Sequence, residues 1–281
     1  VPATLAGLDL VQGAAAHVLA GVLGALLGSF ANVCIVRMPR DQSIVRPGSH
    51  CFDCGAPVRW FDNLPVISYF VLGGKCRSCG APFSPRYLLV EVGVGLVVLA
   101  AYHAAVAGPG IDEDVPLRLA HFGAHALFLL ALTVVTFIDL AEKQIPDAIT
   151  IPGIPVFFAF GVFLGDRPMT DLILGVLGSY GAVGLLGDTW YFLTGRDALG
   201  LGDAKLLALI GALLGWQASL FSLFGGAVVG SLLLVPVLLV RRLRSGAGPV
   251  MQFETPFGPF LAAAAVVYLF VGPHLELAWR P

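Results

Sequence analysis

Eight apolar runs dominate this chain of 281 residues, and they leave it few folds to choose from. They lie near residues 14–36, 87–107, 118–139, 148–165, 171–194, 204–215, 218–240 and 257–273. About 20 apolar residues in a helix cross the roughly 30 Å of hydrocarbon in a bilayer. Because lipid cannot satisfy backbone N–H and C=O groups, such runs must be helical. Hydrophobic residues make up 57% of the chain and charged residues only 12%, far from the balance of a soluble domain. The expectation is an all-α polytopic membrane protein with about eight transmembrane helices. The sixth run is short, and a break or tight hairpin is expected near Trp216 and Gln217. The 35 glycines suit close helix approach, which in membranes is the work of small residues. The opening residues have neither a basic start nor a small-residue cleavage site, so no removable signal peptide is expected there.

Charge placement sets orientation. Of the 16 Lys and Arg, all but Arg118, Arg167 and Arg280 fall on one side when loops are taken alternately. The positive-inside rule makes that side cytoplasmic. The acidic stretch "IDEDVP" (Ile111 to Pro116) then lies outside. A net charge of −2 gives no reason to expect a nucleic-acid partner.

The longest connection carries "CFDC" (Cys51, Cys54) and "CRSC" (Cys76, Cys79), with 21 residues between the pairs. Each pair can present two thiolates from one turn, and two pairs complete a tetrahedral four-cysteine zinc site. A pair of disulfides is the alternative. The basic loop should face the reducing cytoplasm, which favours zinc. Expected boundaries are residues 1–36 for the first transmembrane helix, 37–86 for a small cytoplasmic zinc-binding loop domain and 87–281 for a transmembrane catalytic domain. Cys34, inside the first run, reads as a small buried hydrophobe.

Carboxylates at membrane depth are costly and mark function by default. Asp139 ends the third run and Asp203 begins the sixth, both at the expected cytoplasmic edge, 64 positions apart. Brought together, two carboxylates share one proton and supply an acid and a base near neutral pH. Gly200 and Gly202, just before Asp203, allow close approach of backbone or substrate. Spacing alone leaves a second reading open, with Asp203 a helix N-cap and Asp139 an interfacial residue. Lys205 could keep the local field positive near Asp203. His121 and His125, four apart, read as helix residues more readily than as a metal pair. Asp188 is expected to hydrogen-bond a neighbouring helix. A proton-coupled transporter would also use intramembrane carboxylates, but near the bilayer midplane and in two echoing halves. A scaffold whose zinc loop binds partners is a further alternative.

Longer motifs carry a resemblance. With "GSFANVCIVRMPR" (Gly28 to Arg40), the two cysteine pairs, "WFDNLPVISYF" (Trp60 to Phe70), "RYLLVE" (Arg86 to Glu91), "IDLAEKQIPD", "GLGDAKLLALIG" and "TPFGPFLA", the chain resembles the prepilin peptidases, or type IV leader peptidases. These are membrane aspartic peptidases with a Gly-x-Gly-Asp signature. The resemblance implies a catalytic pair at Asp139 and Asp203, with Asp147 in a supporting role. It implies cleavage of the short basic leader of type IV prepilins or type II secretion pseudopilins at the cytoplasmic face of a bacterial inner membrane, the substrate helix lying in lipid beside the enzyme. Similar proteins with the four-cysteine loop often N-methylate the new N-terminus with S-adenosylmethionine. No Gly-rich nucleotide loop announces that second activity here. Phe52 stands where Pro is common and Gly73 where a basic residue is common.

Overall fold

A computed structural model describes residues 11–108, 114–165, 167–195, 200–245 and 256–279. Among these residues the secondary structure is helical, apart from two isolated antiparallel bridges in the cysteine loop. The helices are α1 (Ala14–Arg37), α2 (Ile67–Val71), α3 (Arg86–Tyr102), α4 (Val115–Glu142), α5 (Asp147–Leu164), α6 (Met169–Ile173), α7 (Ser179–Thr194), α8 (Leu201–Leu214), α9 (Trp216–Ser245) and α10 (Gly258–Trp279). A π-helical turn, Leu174–Gly178, joins α6 to α7.

All eight apolar runs are helical, and six lie in helices long and apolar enough to cross a membrane: Ala14–Arg40, Arg86–Ala107, Val115–Glu142, Asp147–Leu164, Met169–Thr194 and Trp216–Val237. At 14 residues, α8 is about 21 Å long, short of the hydrocarbon thickness. Gly215, at φ 84° and ψ 174°, separates it from α9, as the expected break requires. Part of "IDEDVP", residues 111–113, lies outside the described residues.

Two compact units divide the chain, Val1–Val134 and Val135–Pro281. In the first, α1 packs on α3. A Cβ on Gly24 would sit 2.9 Å from the Gly95 Cα, and one on Gly28 would sit 2.7 Å from the Glu91 Cα. Gly24 and Gly28 form a Gly-x-x-x-Gly pair whose bare surface admits the α3 backbone, the contact that holds helices together where lipid removes the hydrophobic drive.

The second unit is built around α8. Every residue from Leu206 to Leu214 is buried, against α5, the π turn, α7 and α9. Gly211 and Gly175 cross so closely that a Cβ on Gly211 would meet the Gly175 carbonyl at 2.5 Å. Ser219 Oγ on α9 donates to the Leu207 carbonyl at 3.0 Å. This short helix, locked on several sides by bare glycines, carries Asp203 in its first turn.

Candidate active site and metal centre

Asp139 lies one turn before the end of α4 and is buried. Lys143, with φ 54°, ends that helix, and its N–H donates to the Asp139 carbonyl. The Asp139 side chain is held from another part of the chain: Oδ2 accepts the N–H of Gly258, the first residue of α10, at 2.9 Å. A helix N-terminus offers unpaired N–H groups and a positive dipole end, both of which suit a carboxylate.

Asp203 stands three residues beyond Gly200, the extended N-cap of α8, and its carboxylate takes a hydrogen bond from the Gly200 backbone. Asp139 is near enough for its charge to act on Asp203 directly. Ile145 packs under both sides of the site. Its Cβ would lie 3.1 Å from a Cβ on Gly202, and its Cδ1 3.3 Å from one on Gly258. Gly202 is therefore bare because Ile145 fills the space a side chain would need. Among the described residues no Lys or Arg pairs with either carboxylate.

Lys205 is committed elsewhere, its Nζ lying 2.6 Å from Asp147 Oδ1. Asp147 opens α5, so this ion pair ties α5 to α8 beside the site. Asp188 departs from the sequence expectation. It is exposed, has no hydrogen-bond partner among the described residues, and lines a cavity of about 480 Å³ with Tyr191, Gly200 and Ala204.

The cysteine loop belongs to the other unit. Cys51, Cys54, Cys76 and Cys79 place their sulfurs within 4.8 Å of one another, the one group of His, Cys, Asp or Glu among the described residues that could hold a metal ion. Cys51–Cys79 and Cys54–Cys76 are 3.8 and 4.0 Å apart. A tetrahedron of metal–sulfur bonds of about 2.3 Å has edges of about 3.8 Å, so sulfurs this close together could share one ion. All five cysteines are free thiols, which sets aside the disulfide alternative.

Each pair is presented by the same turn. Cys51 N–H bonds the Ala56 carbonyl and Gly55 N–H the Cys51 carbonyl; Cys76, Ala81 and Gly80 repeat the pattern. Gly55 and Gly80 sit at φ 69° and 75°, where a Cβ is disfavoured. The sequence signal is the repeat "CFDCGAP" and "CRSCGAP" (Cys51 to Pro57, Cys76 to Pro82), which the cysteine spacing alone does not reveal. Backbone N–H groups of Cys79 and Ser78 pull the Cys76 thiol down to about 7. Cys79, despite the Ala81 N–H, is pushed up to about 12 by the sulfurs of Cys54, Cys76 and Cys51.

Arg77 braces the loop with two hydrogen bonds to Asp62, at 2.6 and 2.8 Å, and its guanidinium lies over Phe61. His121 Nδ1 lies 3.0 Å from the Leu117 carbonyl, and the His121 and His125 rings are 6.3 Å apart. Cys34 is buried in α1 as expected.

Residues 22–105 match the bacterial peptidase A24 N-terminal domain, and residues 126–235 match the type IV leader peptidase family. A Pseudomonas putida protein is 34% identical over 288 residues, covering 92% of this chain and 91% of the relative. The chain belongs to the type IV leader peptidase family. A Pseudomonas aeruginosa relative is 32% identical, with 95% of this chain and 96% of the relative covered. A Myxococcus xanthus relative is 38% identical over 76% of this chain, which spans only 62% of that protein's length. All three are named prepilin leader peptidase/N-methyltransferase. No solved structure matches the chain.

Proposed function

We propose that this leader peptidase family member is an aspartic endopeptidase of the bacterial inner membrane. It cuts the basic leader from type IV prepilins or type II secretion pseudopilins at the cytoplasmic face, and N-methylates the residue exposed. The convergence of Asp139 and Asp203 carries this reading. Two neighbouring carboxylates do not both ionise easily, so one holds a proton that the other lacks. The ionised member takes a proton from a water held between them, and the protonated member gives one to the nitrogen of the scissile amide. The Gly258 N–H fixes one oxygen of Asp139, which orients the other. Gly200 and Gly202 leave the backbone before Asp203 open to an extended substrate strand.

Supporting parts follow. Asp147 and Lys205 position the start of α8 through their ion pair. Residues 37–86 form the cytoplasmic loop domain, in which Cys51, Cys54, Cys76 and Cys79 hold one structural zinc. Residues 87–281 form the peptidase domain. S-adenosylmethionine, when bound, supplies the methyl group. Lipid surrounds the apolar helices.

A transporter fits poorly. Asp139 lies near the end of α4 and Asp203 near the start of α8, rather than at mid-helix.

Incubating the purified chain in detergent with a prepilin tests the proposal: a product shortened by the leader is expected. Solute movement across vesicles with no cleavage would favour the transporter instead. Orientation has its own test. An impermeant thiol reagent on intact cells should label a cysteine placed at Asp112 but not one placed at Asn63, and the reverse pattern would put the site on the wrong face.

A further inference from the structure

The cavity beside Asp203 holds a charge that the cleavage chemistry does not use. One of its walls is a stripe of α7 in which Gly184, Gly187, Asp188 and Tyr191 recur turn by turn, and the other is the first turn of α8, from Gly200 to Ala204. Gly200 belongs to two places. It lines this cavity, and a Cβ on it would lie 3.8 Å from Asp203 Oδ2. A substrate strand that reaches Asp203 over the bare Gly200 backbone therefore passes the cavity on its way.

Missing side chains create the space. Gly184 and Gly187 leave the α7 wall bare, and a Cβ on Gly184 would meet nothing within 4 Å. The resulting volume, about 480 Å³, has room for a long side chain as well as water.

Asp188 supplies the sign of what would enter. Of the residues that line the cavity it alone carries a formal charge. It stands six residues before the end of α7, about 9 Å inside a helix long and apolar enough to cross a membrane. A carboxylate at that depth is costly, and one without a partner more so. Facing a cavity instead of lipid lowers the cost but leaves the charge without a complement. The neighbouring chain does not provide one: Lys205, next to Ala204 in sequence, is held by Asp147 at 2.6 Å.

The complement must therefore be a cation brought from outside. Tyr191, on the same wall, adds an aromatic ring, a surface on which ammonium and guanidinium groups also rest favourably. Lys and Arg suit the shape of the place as well as its charge, since their apolar stems can follow Leu201 and Ala204 while the charged head meets the carboxylate.

We propose that Asp188 is a specificity-determining residue, whose carboxylate pairs with one Lys or Arg of the substrate's leader seated in the cavity between α7 and α8. The assignment rests on the peptidase reading above and adds to it a residue that senses leader charge without touching the scissile bond.

Steady-state cleavage of a prepilin by the purified full chain, in detergent free of aminophospholipid, tests it. The substrate is used as it stands and with each basic leader residue changed singly to Gln or to Glu. Asp188→Asn should raise KM about tenfold, the scale of one charged hydrogen bond, and leave kcat within twofold of wild type. At one leader position Gln should raise the wild-type KM as much, yet change that of Asp188→Asn by less than twofold. Asp188→Lys should cleave the leader with Glu at that position better than the natural leader. Should Asp188→Lys fail to fold, the Gln series on the nearly isosteric Asp188→Asn decides alone. A KM within twofold of wild type in Asp188→Asn would overturn the pairing. So would a rise in KM that is the same for every leader, which marks a packing role, or a fall in kcat alone, which marks a role in the chemistry. Each of these leaves the peptidase reading intact, whereas no cleavage by the wild-type chain would overturn that reading and the pairing with it.

Discussion

In the cysteine loop, four thiols gather from two turns of like sequence, 25 positions apart and each closed by its own backbone bonds. Asp139 and Asp203 come instead from the end of one helix and the start of another, 64 positions apart, and the N–H that holds Asp139 comes from Gly258, a further 55 positions on. The first site is assembled locally, on a loop whose large apolar side chains, among them Phe52, Trp60 and Phe70, are exposed. The second is assembled by packing, through the bare crossings of Gly175 with Gly211 and of Gly202 with Ile145. A ligand should therefore hold the first together, whereas substitutions at distant glycines should disturb the second.

The sharpest way to break this comparison is at the carboxylates. Asp139→Asn and Asp203→Asn are each expected to lower single-turnover cleavage of a prepilin by about 10²- to 10⁴-fold, the share that general acid–base chemistry supplies. An amide can neither take the water's proton nor give one to the leaving nitrogen. Were Asp203 only a cap of α8, Asn would serve as well, because the two rank together at N-caps. Near wild-type rates for Asp203→Asn would thus remove the dyad and leave the packing account standing alone.

The metal site should fail in a different manner. Cys51→Ser combined with Cys76→Ser should lower zinc from about one ion per chain to none, since two ligands cannot hold a structural tetrahedral site. In small metal domains the binding energy is the folding energy, about 10–16 kcal/mol in zinc-finger peptides. New protease cuts are expected between residues 38 and 85. Retention of zinc by the double variant, measured by elemental analysis, would refute the four-cysteine assignment.

A smaller effect tests the packed site. A Cβ at Gly258 would lie 2.7 Å from Asp139 Oδ2, so Gly258→Ala must move either the carboxylate or the start of α10. Displacements of about 1 Å at a reacting group can cost about 10²-fold. Gly258→Ala should therefore lower the cleavage rate by roughly ten- to a hundredfold with the chain still folded and zinc still bound. An unchanged rate would mean that Gly258 does not orient Asp139.

These contrasts explain what could be read from the sequence. All eight apolar runs proved helical among the described residues, because lipid leaves the backbone no other choice. Cys-x-x-Cys spacing located four thiols that could hold a metal ion, because each pair acts within a single turn. The pairing of Asp139 with Asp203 came from orientation and from resemblance, since no local pattern encodes a contact across 64 positions. Three further features were out of reach for the same reason. Gly258 acts through its backbone N–H, which leaves no mark in composition. Ile145 looks like any apolar residue. Lys205 is two residues from Asp203 in sequence, and only the packing of α5 beside α8 reveals its ion pair with Asp147. Asp188 was expected to be bonded because charge in lipid is costly, but it lines an open cavity where that argument weakens.

The smallest expected effect concerns that last ion pair, and it asks whether Lys205 serves packing or chemistry. Lys205 is 22% exposed and Asp147 57%, so the pair is screened by solvent and should contribute no more than about 1 kcal/mol. Asp147 also opens α5, where a negative charge suits the helix N-terminus, so Asp147→Asn should cost slightly more stability than Lys205→Met. A double-mutant cycle on thermal unfolding, adding Lys205→Met to Asp147→Asn, isolates the pairwise part. The pH dependence of cleavage then separates the two roles. If Lys205 only ties α8 to α5, Lys205→Met should lower the rate by no more than a few-fold and leave the acid and alkaline limbs where they were. A displaced limb would show that the ammonium charge reaches the Asp139–Asp203 pair after all, and that the ion pair with Asp147 belongs to the chemistry as well as to the packing.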